Sequence, residues 1–349
     1  MTRILLLGTG MISTQHLEEF GALDDARIVA CADASPGRAA AFAKAQGLEQ
    51  GFESLAQAIA WGGFDAAINA TPDGIHKPTT LELIAAGKPV FCEKPLAPSY
   101  ADALEMTEAA ERAGLVAMVN LTYRNAPALQ KARALVIEGA IGRLRHLEAT
   151  YRQSWLVSNG WGDWRTEPVW LWRLSRAHGS NGVLGDVGIH LLDFAAYGAN
   201  DRFASLRADL VTFPKAEGER IGDYVLDAND SFAMTARLEG GALATVAATR
   251  FATGHANDLT LMLHGTEGAL RVETDGKASA LHASLGQDVH THTWREVALE
   301  PTVRNARAFV DALNSGVNGE PSFRRAAEIQ AVIDAAMVSA AEDRTVTLA

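Results

Sequence analysis

The stretch Ile4-Leu5-Leu6-Leu7-Gly8-Thr9-Gly10-Met11-Ile12-Ser13 carries the reading of the fold. Four aliphatic residues predict a short buried strand, and Gly8 and Gly10 then let the backbone turn sharply into a helix. Such a turn accepts a pyrophosphate, because backbone N–H groups and the positive end of the helix both favour an anion. Gly8, Thr9, Gly10, Met11 and Ile12 are therefore candidate contacts of a dinucleotide. Ser13 stands where the fingerprint often has a third Gly or Ala, a departure expected to set the helix slightly farther from the strand while a small side chain is still tolerated. An ordinary tight strand-to-helix turn also accounts for the glycines alone, so the surrounding sequence has to decide.

Asp33 lies twenty residues beyond Ser13, at the end of the second aliphatic run, residues 27–31. An acidic side chain there accepts hydrogen bonds from the adenosine ribose hydroxyls and repels a 2′-phosphate. Arg38, one helical turn further, can pair with such a phosphate, so NADP stays open while NAD is favoured. Asp33 can also serve simply as the cap of a helix beginning near Ser35. Strand-like and helix-period segments go on alternating: helix 37–45, strand 66–70, helix 78–86, strand 89–92, helix 100–113 and strand 116–119. Parallel strands joined by helices make a doubly wound sheet, and the class is α/β, with a Rossmann domain expected over residues 1–122.

From residue 123 the texture changes. A helix is expected over 126–137, followed by strands separated by tight turns. Glu239-Gly240-Gly241 joins the runs 232–238 and 243–249, and residues 265–268 join 259–264 to 269–273. Two helices, 303–314 and 325–341, are expected to close the chain. The reading is a second, α+β domain over 123–349, with an antiparallel sheet.

Composition excludes several classes. The 349 residues are 48% hydrophobic and 21% charged, as in ordinary globular proteins. The formal charge of −11, with no stripe of Lys or Arg, argues against a nucleic-acid partner. No apolar run is long enough to span a membrane, and a cytoplasmic protein is expected. Cys31 and Cys92 each end an aliphatic run and read as reduced, buried thiols. No Cys-x-x-Cys or His-Glu-x-x-His occurs, so no metal site is expected. His290 and His292 read as one solvated face of a strand.

Glu93-Lys94-Pro95 follows the strand 89–92 and places Lys94 at the carboxyl edge of the sheet, where open α/β sheets bind ligands. Much later, Gly182-Val183-Leu184-Gly185-Asp186-Val187-Gly188-Ile189-His190 leads into a helix, where Asp186 and His190, four apart, share a face. Oxidising a secondary alcohol needs a base for the hydroxyl proton while the carbon gives up hydride. His190 suits the base, Lys94 can stabilise charge on the oxygen, and Asp186 can orient the substrate. Each has a plainer role open to it: Lys94 as a surface lysine, His190 as a hydrogen-bonded interface histidine, Asp186 as a helix cap. Asp193 reads as support for the helix.

These segments, together with Ala70-Thr71-Pro72, His76, Tyr123-Arg124, Trp172-Arg173 and the ending from Phe309 through Glu328 to Val346, resemble the Gfo/Idh/MocA family of glucose-fructose oxidoreductase and inositol dehydrogenase-like proteins. The resemblance implies a Rossmann domain, and a second domain with a large open, mostly antiparallel sheet through which homo-oligomers, dimers or tetramers, form. It also implies Lys94, Asp186 and His190 acting together in hydride transfer with a sugar, sugar derivative or cyclitol. Thr71, Pro72, His76, Glu93, Lys94 and Arg173 are implied as further cofactor contacts, and Tyr123 and Arg124 as substrate contacts. A non-catalytic dinucleotide sensor and an NAD-retaining glycosidase are alternatives on the same fold.

Five of the seven tryptophans fall between Trp155 and Trp172. Trp161, Trp164 and Arg165 are candidate substrate contacts, since aromatic faces stack on sugar C–H faces while charged groups read hydroxyls. Packing of a long loop explains the same rings without a ligand.

Overall fold

The computed structural model describes residues 1–348. They cluster into two compact units, Met1–Leu121 with Val303–Gln330, and Thr122–Thr302 with the residues from Ala331 onward.

The first unit holds six strands, β1 Thr2–Leu7, β2 Ala26–Ala32, β3 Gln50–Phe52, β4 Ala66–Asn69, β5 Val90–Cys92 and β6 Ala117–Val119. They run parallel in the order β3-β2-β1-β4-β5-β6. Helices α1 Ile12–Gly21, α2 Arg38–Gln46, α3 Leu55–Trp61, α4 His76–Ala85 and α5 Tyr100–Ala113 connect them. The chemistry of the helix ends is local. Ser54 and Ser99 cap α3 and α5 by accepting from the Gln57 and Asp102 amides, and left-handed Gly47, Gly62 and Gly114 end α2, α3 and α5. Strand order reverses between β1 and β4, so the loops after these strands diverge and open a crevice at the carboxyl edge.

Residues 303–330, assigned from sequence to the second domain, pack in the first unit instead. The helix Asn305–Ser315 sets Ala306, Phe309, Val310 and Ala312 into the core of Ile4, Leu6, Phe20, Ile68 and Phe91. Its apolar face finds its partner long after the chain has left this sheet, which no local pattern announces.

The second unit contains α6 Pro127–Ile137, β7 Leu144–Gln153, α7 Pro168–Leu171, α8 Ile189–Ala199 and β8 Phe203–Val211. A small hairpin, β9 Arg220–Ile221 with β10 Tyr224–Val225, stands apart from the main sheet. The remaining strands are β11 Ser231–Leu238, β12 Leu243–Thr249, β13 Asn257–Gly265, β14 Gly268–Thr274, β15 Ser279–Leu285, β16 Arg295–Glu296 and β17 Val346–Thr347. Nine of these strands form one sheet, ordered β16-β15-β14-β13-β7-β12-β11-β8-β17, and only β7 with β12 is a parallel pair. Both hairpins expected from sequence are present, as β11–β12 and β13–β14. Helices α6 and α8 pack on the sheet, while residues such as His146, Glu148, Arg207 and Asp209 occupy its other face. Apart from Tyr197 every residue of α8 is buried, as a helix apolar on nearly all sides must be. His290 lies in the short helix Gln287–Thr291 and His292 is left-handed, so the expected strand face is absent there.

Candidate active site

At the carboxyl edge of the first sheet, Gly8 has φ +90, and a Cβ on it would sit 2.5 Å from the Ala70 carbonyl oxygen. Only glycine fits that turn. A Cβ on Gly10 would meet nothing within 4 Å, and no side chain caps α1. The turn therefore leaves its backbone approachable. Asp33 accepts from the Thr9 amide at 3.0 Å, the Thr9 hydroxyl at 2.7 Å and the Ser35 amide at 2.9 Å. Burial opposes the charge, but these hydrogen bonds prevail and bring its pKa down to about 2. The Arg38 Nε stands 3.7 Å from the same carboxylate, and its Nη2 donates to the Thr9 carbonyl at 3.0 Å.

Farther along this edge, Glu93 and Lys94 follow β5. The Glu93 carboxylate lies 2.9 Å from Nε2 of His16, a fully buried residue of α1, and accepts from Asn120 Nδ2 at 2.8 Å. Burial works against its ionisation, yet His16 and Asn120 hold it below the usual carboxylate range. The Lys94 amide donates to Glu93 at 3.2 Å. Thr71 turns its hydroxyl onto Asn69 at 2.8 Å, and the His76 ring lies between the carbonyls of Thr71 and Pro95.

The second unit builds a separate polar cluster. Leu184–Gly188 is a single π-helical turn feeding α8, so Asp186 sits on wider backbone than the regular helix its spacing predicted. Asn229 fastens the start of that turn: its side chain accepts from the Leu184 amide at 3.0 Å, and a Cβ on Gly182 would strike it at 2.5 Å. Asp186 lies 3.0 Å from Nη2 of Arg250 and 3.5 Å from Nε of Arg173. Arg250 is fully buried, stacks on Trp155 and donates to the Arg173 carbonyl at 3.2 Å. Burial holds its guanidinium below the ordinary value against the pull of Asp186 and Asp230. Behind it, Lys215 and Asp230 form a buried pair at 2.8 Å.

His190, on α8, packs edge-on against Tyr123 with ring centroids 5.0 Å apart. Tyr123, Tyr151 and Asn257 close a triangle of hydrogen bonds of 2.6, 2.7 and 2.9 Å. Burial pushes both phenols above their ordinary pKa, Tyr151 the further. Gln153 donates to Asn257 at 2.9 Å and accepts from the Trp155 indole at 3.2 Å, which carries the network back to the ring under Arg250.

Comparison with known proteins assigns both units. Residues 2–121 match the oxidoreductase family with an NAD-binding Rossmann fold, and residues 129–271 match the GFO/IDH/MocA C-terminal domain. A 1,5-anhydro-D-fructose reductase from Ensifer adhaerens is 30% identical, over 77% of this chain and 75% of its own. The chain belongs to the Gfo/Idh/MocA family. Levoglucosan dehydrogenase from Pseudarthrobacter phenanthrenivorans is 27% identical over 89% of this chain and 87% of its own. A solved levoglucosan dehydrogenase in complex with NADH and L-sorbose superposes with a TM-score of 0.87 at 26% identity, covering 100% of this chain and 99% of that one.

As a Gfo/Idh/MocA protein the chain is an oxidoreductase of the NAD-dependent sugar and cyclitol dehydrogenase class. Its first unit fits NAD on its own geometry: a glycine turn with open space where a Cβ would intrude, and an ionised Asp33 beside it. Gly8, Thr9, Gly10, Met11, Ile12, Asp33 and Arg38 all gather at that turn. Pro72 and Lys94 lie on the same edge. His76 does not face outward, because its ring is wholly buried.

Two expectations for the second unit, Arg124 and Trp164, need correction. Arg124 is not presented to a ligand: it makes a buried two-pronged pair with Asp193 at 2.8 and 2.6 Å and lies over Tyr197. Trp164 is 2% exposed, donates its indole N–H to the Leu156 carbonyl and joins Trp155, Leu156, Leu171, Leu174 and Leu226 in a small core. Packing of the loop thus accounts for Trp164, while Arg165 is exposed, stacks on its ring and stands 3.7 Å from Asp163. Trp161 stays half-exposed on Trp170. Arg173, assigned to the cofactor, flanks Asp186, donates to the Val169 carbonyl at 2.5 Å and stacks on Trp170 and Trp172. Among the described residues no group of three or more His, Cys, Asp or Glu side chains is arranged to hold a metal, and no helix is long and apolar enough to cross a membrane.

Sequence reading missed His16, Tyr151, Arg250 and Asn257. Arg250 left one signal, a charged residue directly after the alternating strand β12. Tyr151 and Asn257 left none, since residues 106 apart meet only through the pairing of β7 with β13.

Proposed function

We propose that this chain transfers hydride between NAD and a secondary alcohol or ketone of a sugar, sugar derivative or cyclitol, with Lys94, Asp186 and His190 as its working groups. The observation that carries the reading is Asp186 held between Arg173 and a fully buried Arg250 on the turn that leads into His190. A carboxylate held between two guanidinium groups is fixed in direction. It is then well suited to receive a hydrogen bond from a substrate hydroxyl. His190, whose ring plane Tyr123 steadies, takes the proton of the reacting hydroxyl. Lys94, at the rim of the NAD-binding sheet, donates to the reacting oxygen and stabilises negative charge there in either direction. Bound NAD supplies the hydride acceptor.

Trp161 and Tyr123 offer aromatic faces suited to the substrate. We assign NAD rather than NADP from the ionised Asp33. The protein is proposed to work in the cytoplasm, where its two free, buried thiols stay reduced. It is also proposed to form a homodimer or tetramer through the open sheet face, which light scattering tests. That face has a groove of about 360 Å³ lined by Thr150, Arg152, Ser231, Ala233, Ala247 and Thr249.

The decisive experiment screens sugars, anhydrosugars and cyclitols for NADH absorbance. Stoichiometric NADH with one of them supports the dehydrogenase. NAD that cycles without net reduction while a glycosidic bond is cleaved favours the glycosidase, and binding without turnover of any kind favours a sensor. Lys94→Ala is expected to lower kcat by two or more orders of magnitude with NADH binding retained. Wild-type turnover in that variant removes Lys94 from the mechanism.

A further inference from the structure

His76 heads α4, and its side chain is wholly buried. Nδ1 lies 2.8 Å from the Pro95 carbonyl oxygen and Nε2 lies 2.8 Å from the Thr71 carbonyl oxygen. Both of these partners are backbone carbonyls, which can only accept, and the Cys92 thiol is a third neighbour of the ring. A neutral imidazole has one N–H and one lone pair, so in this place it would aim a lone pair at a carbonyl oxygen. That repulsion, together with an unpaired buried acceptor, disfavours the neutral ring. Only the imidazolium donates at both ends.

We propose that His76 is an imidazolium at neutral pH that clamps the end of β4 to the Lys94-Pro95 turn, and is thereby a positioning residue for Lys94. One acceptor, Thr71, directly precedes Pro72 on the rim; the other, Pro95, directly follows Lys94. Asn69 Nδ2 donates to the His76 backbone carbonyl at 3.3 Å and to the hydroxyls of Thr79 and Thr80 at 2.9 and 3.0 Å, which anchors the base of the clamp in α4. The titratable groups acting on the ring are Cys92 at the end of β5 and Asp73 on the turn before α4. Burial opposes the charge, but these groups and the Pro95 carbonyl outweigh it and raise the pKa from 6.5 to about 10. A raised pKa means that the charge adds stability in full below pH 6.5 and loses it as pH climbs through about 10.

The protonation state stands apart from any catalytic reading, whereas the positioning role rests on Lys94 acting as proposed. Nitrogen NMR of the full-length wild-type protein labelled at histidine tests the first part. One histidine is expected to show both ring nitrogens protonated without change from pH 6 to 9, and to vanish from the spectrum of His76→Gln. Should that variant not fold, replacing each of the other nine histidines in turn, the buried His16 and His190 included, assigns the signal by elimination. A His76 ring with one unprotonated nitrogen at pH 8 overturns the proposal.

A double-mutant cycle tests the second part. His76→Gln is expected to lower kcat about tenfold, with the KM for NAD changing less than about threefold, and to have no further effect in a Lys94→Ala background. A tenfold loss repeated in that background overturns the positioning role. Full activity in Lys94→Ala alone ends that role together with the reading of Lys94, and leaves the imidazolium to the NMR result.

Discussion

The NAD edge of the first unit and the polar cluster of the second are built on opposite plans. The edge relies on backbone: a glycine turn, a helix start, and one carboxylate fastened to Thr9, all drawn from the first 38 residues. The cluster relies on side chains brought from afar. Arg250 reaches Asp186 across 64 positions, and Asn257 reaches Tyr123 across 134. Backbone recognition needs only a turn of the right shape, which a few residues specify. A side-chain constellation needs strand register, which the whole sheet specifies.

The contrast can be broken at several points. Asp193→Ala leaves the Arg124 guanidinium buried without its two-pronged carboxylate, and is expected to cost about 3–5 kcal/mol in denaturant unfolding. A loss under 1 kcal/mol would return Arg124 to the list of ligand contacts. On the backbone side the effect is smaller and falls on binding. Asp33→Ser is expected to weaken NAD by roughly tenfold and to strengthen NADP, since Arg38 then faces a 2′-phosphate with no competing charge. A titration in which the preference for NAD survives would show that Asp33 does not set it. Least of all, Trp161→Ala should change stability by about 0.5 kcal/mol or less, because its ring is half-exposed, while raising the substrate KM. An unchanged KM for the identified substrate would make that ring a surface feature only.

Much of the architecture was legible beforehand. The period of two against the period of 3.6 marked the parallel sheet and both long hairpins, and glycine turns marked where those hairpins fold, while β3 and α3 went unread. Lys94, Asp186 and His190 could be named because short motifs surround them. The tryptophans show where that approach fails: Trp161 and Trp164 lie three apart in similar polar company, yet one is half-exposed and the other closes a core. Composition reports that a ring is present; burial depends on which distant residues arrive beneath it.

Alternation, turn chemistry and the spacing from Gly8 to Asp33 were enough to specify an NAD-binding sheet, because those features act between neighbours along the chain. Which residues hold the Asp186 carboxylate, that Arg124 turns inward to Asp193, and that the helix Asn305–Ser315 completes the first core could emerge only from the folded chain. Such contacts are fixed by strand register and by the filling of shared volume, and both depend on all the elements at once.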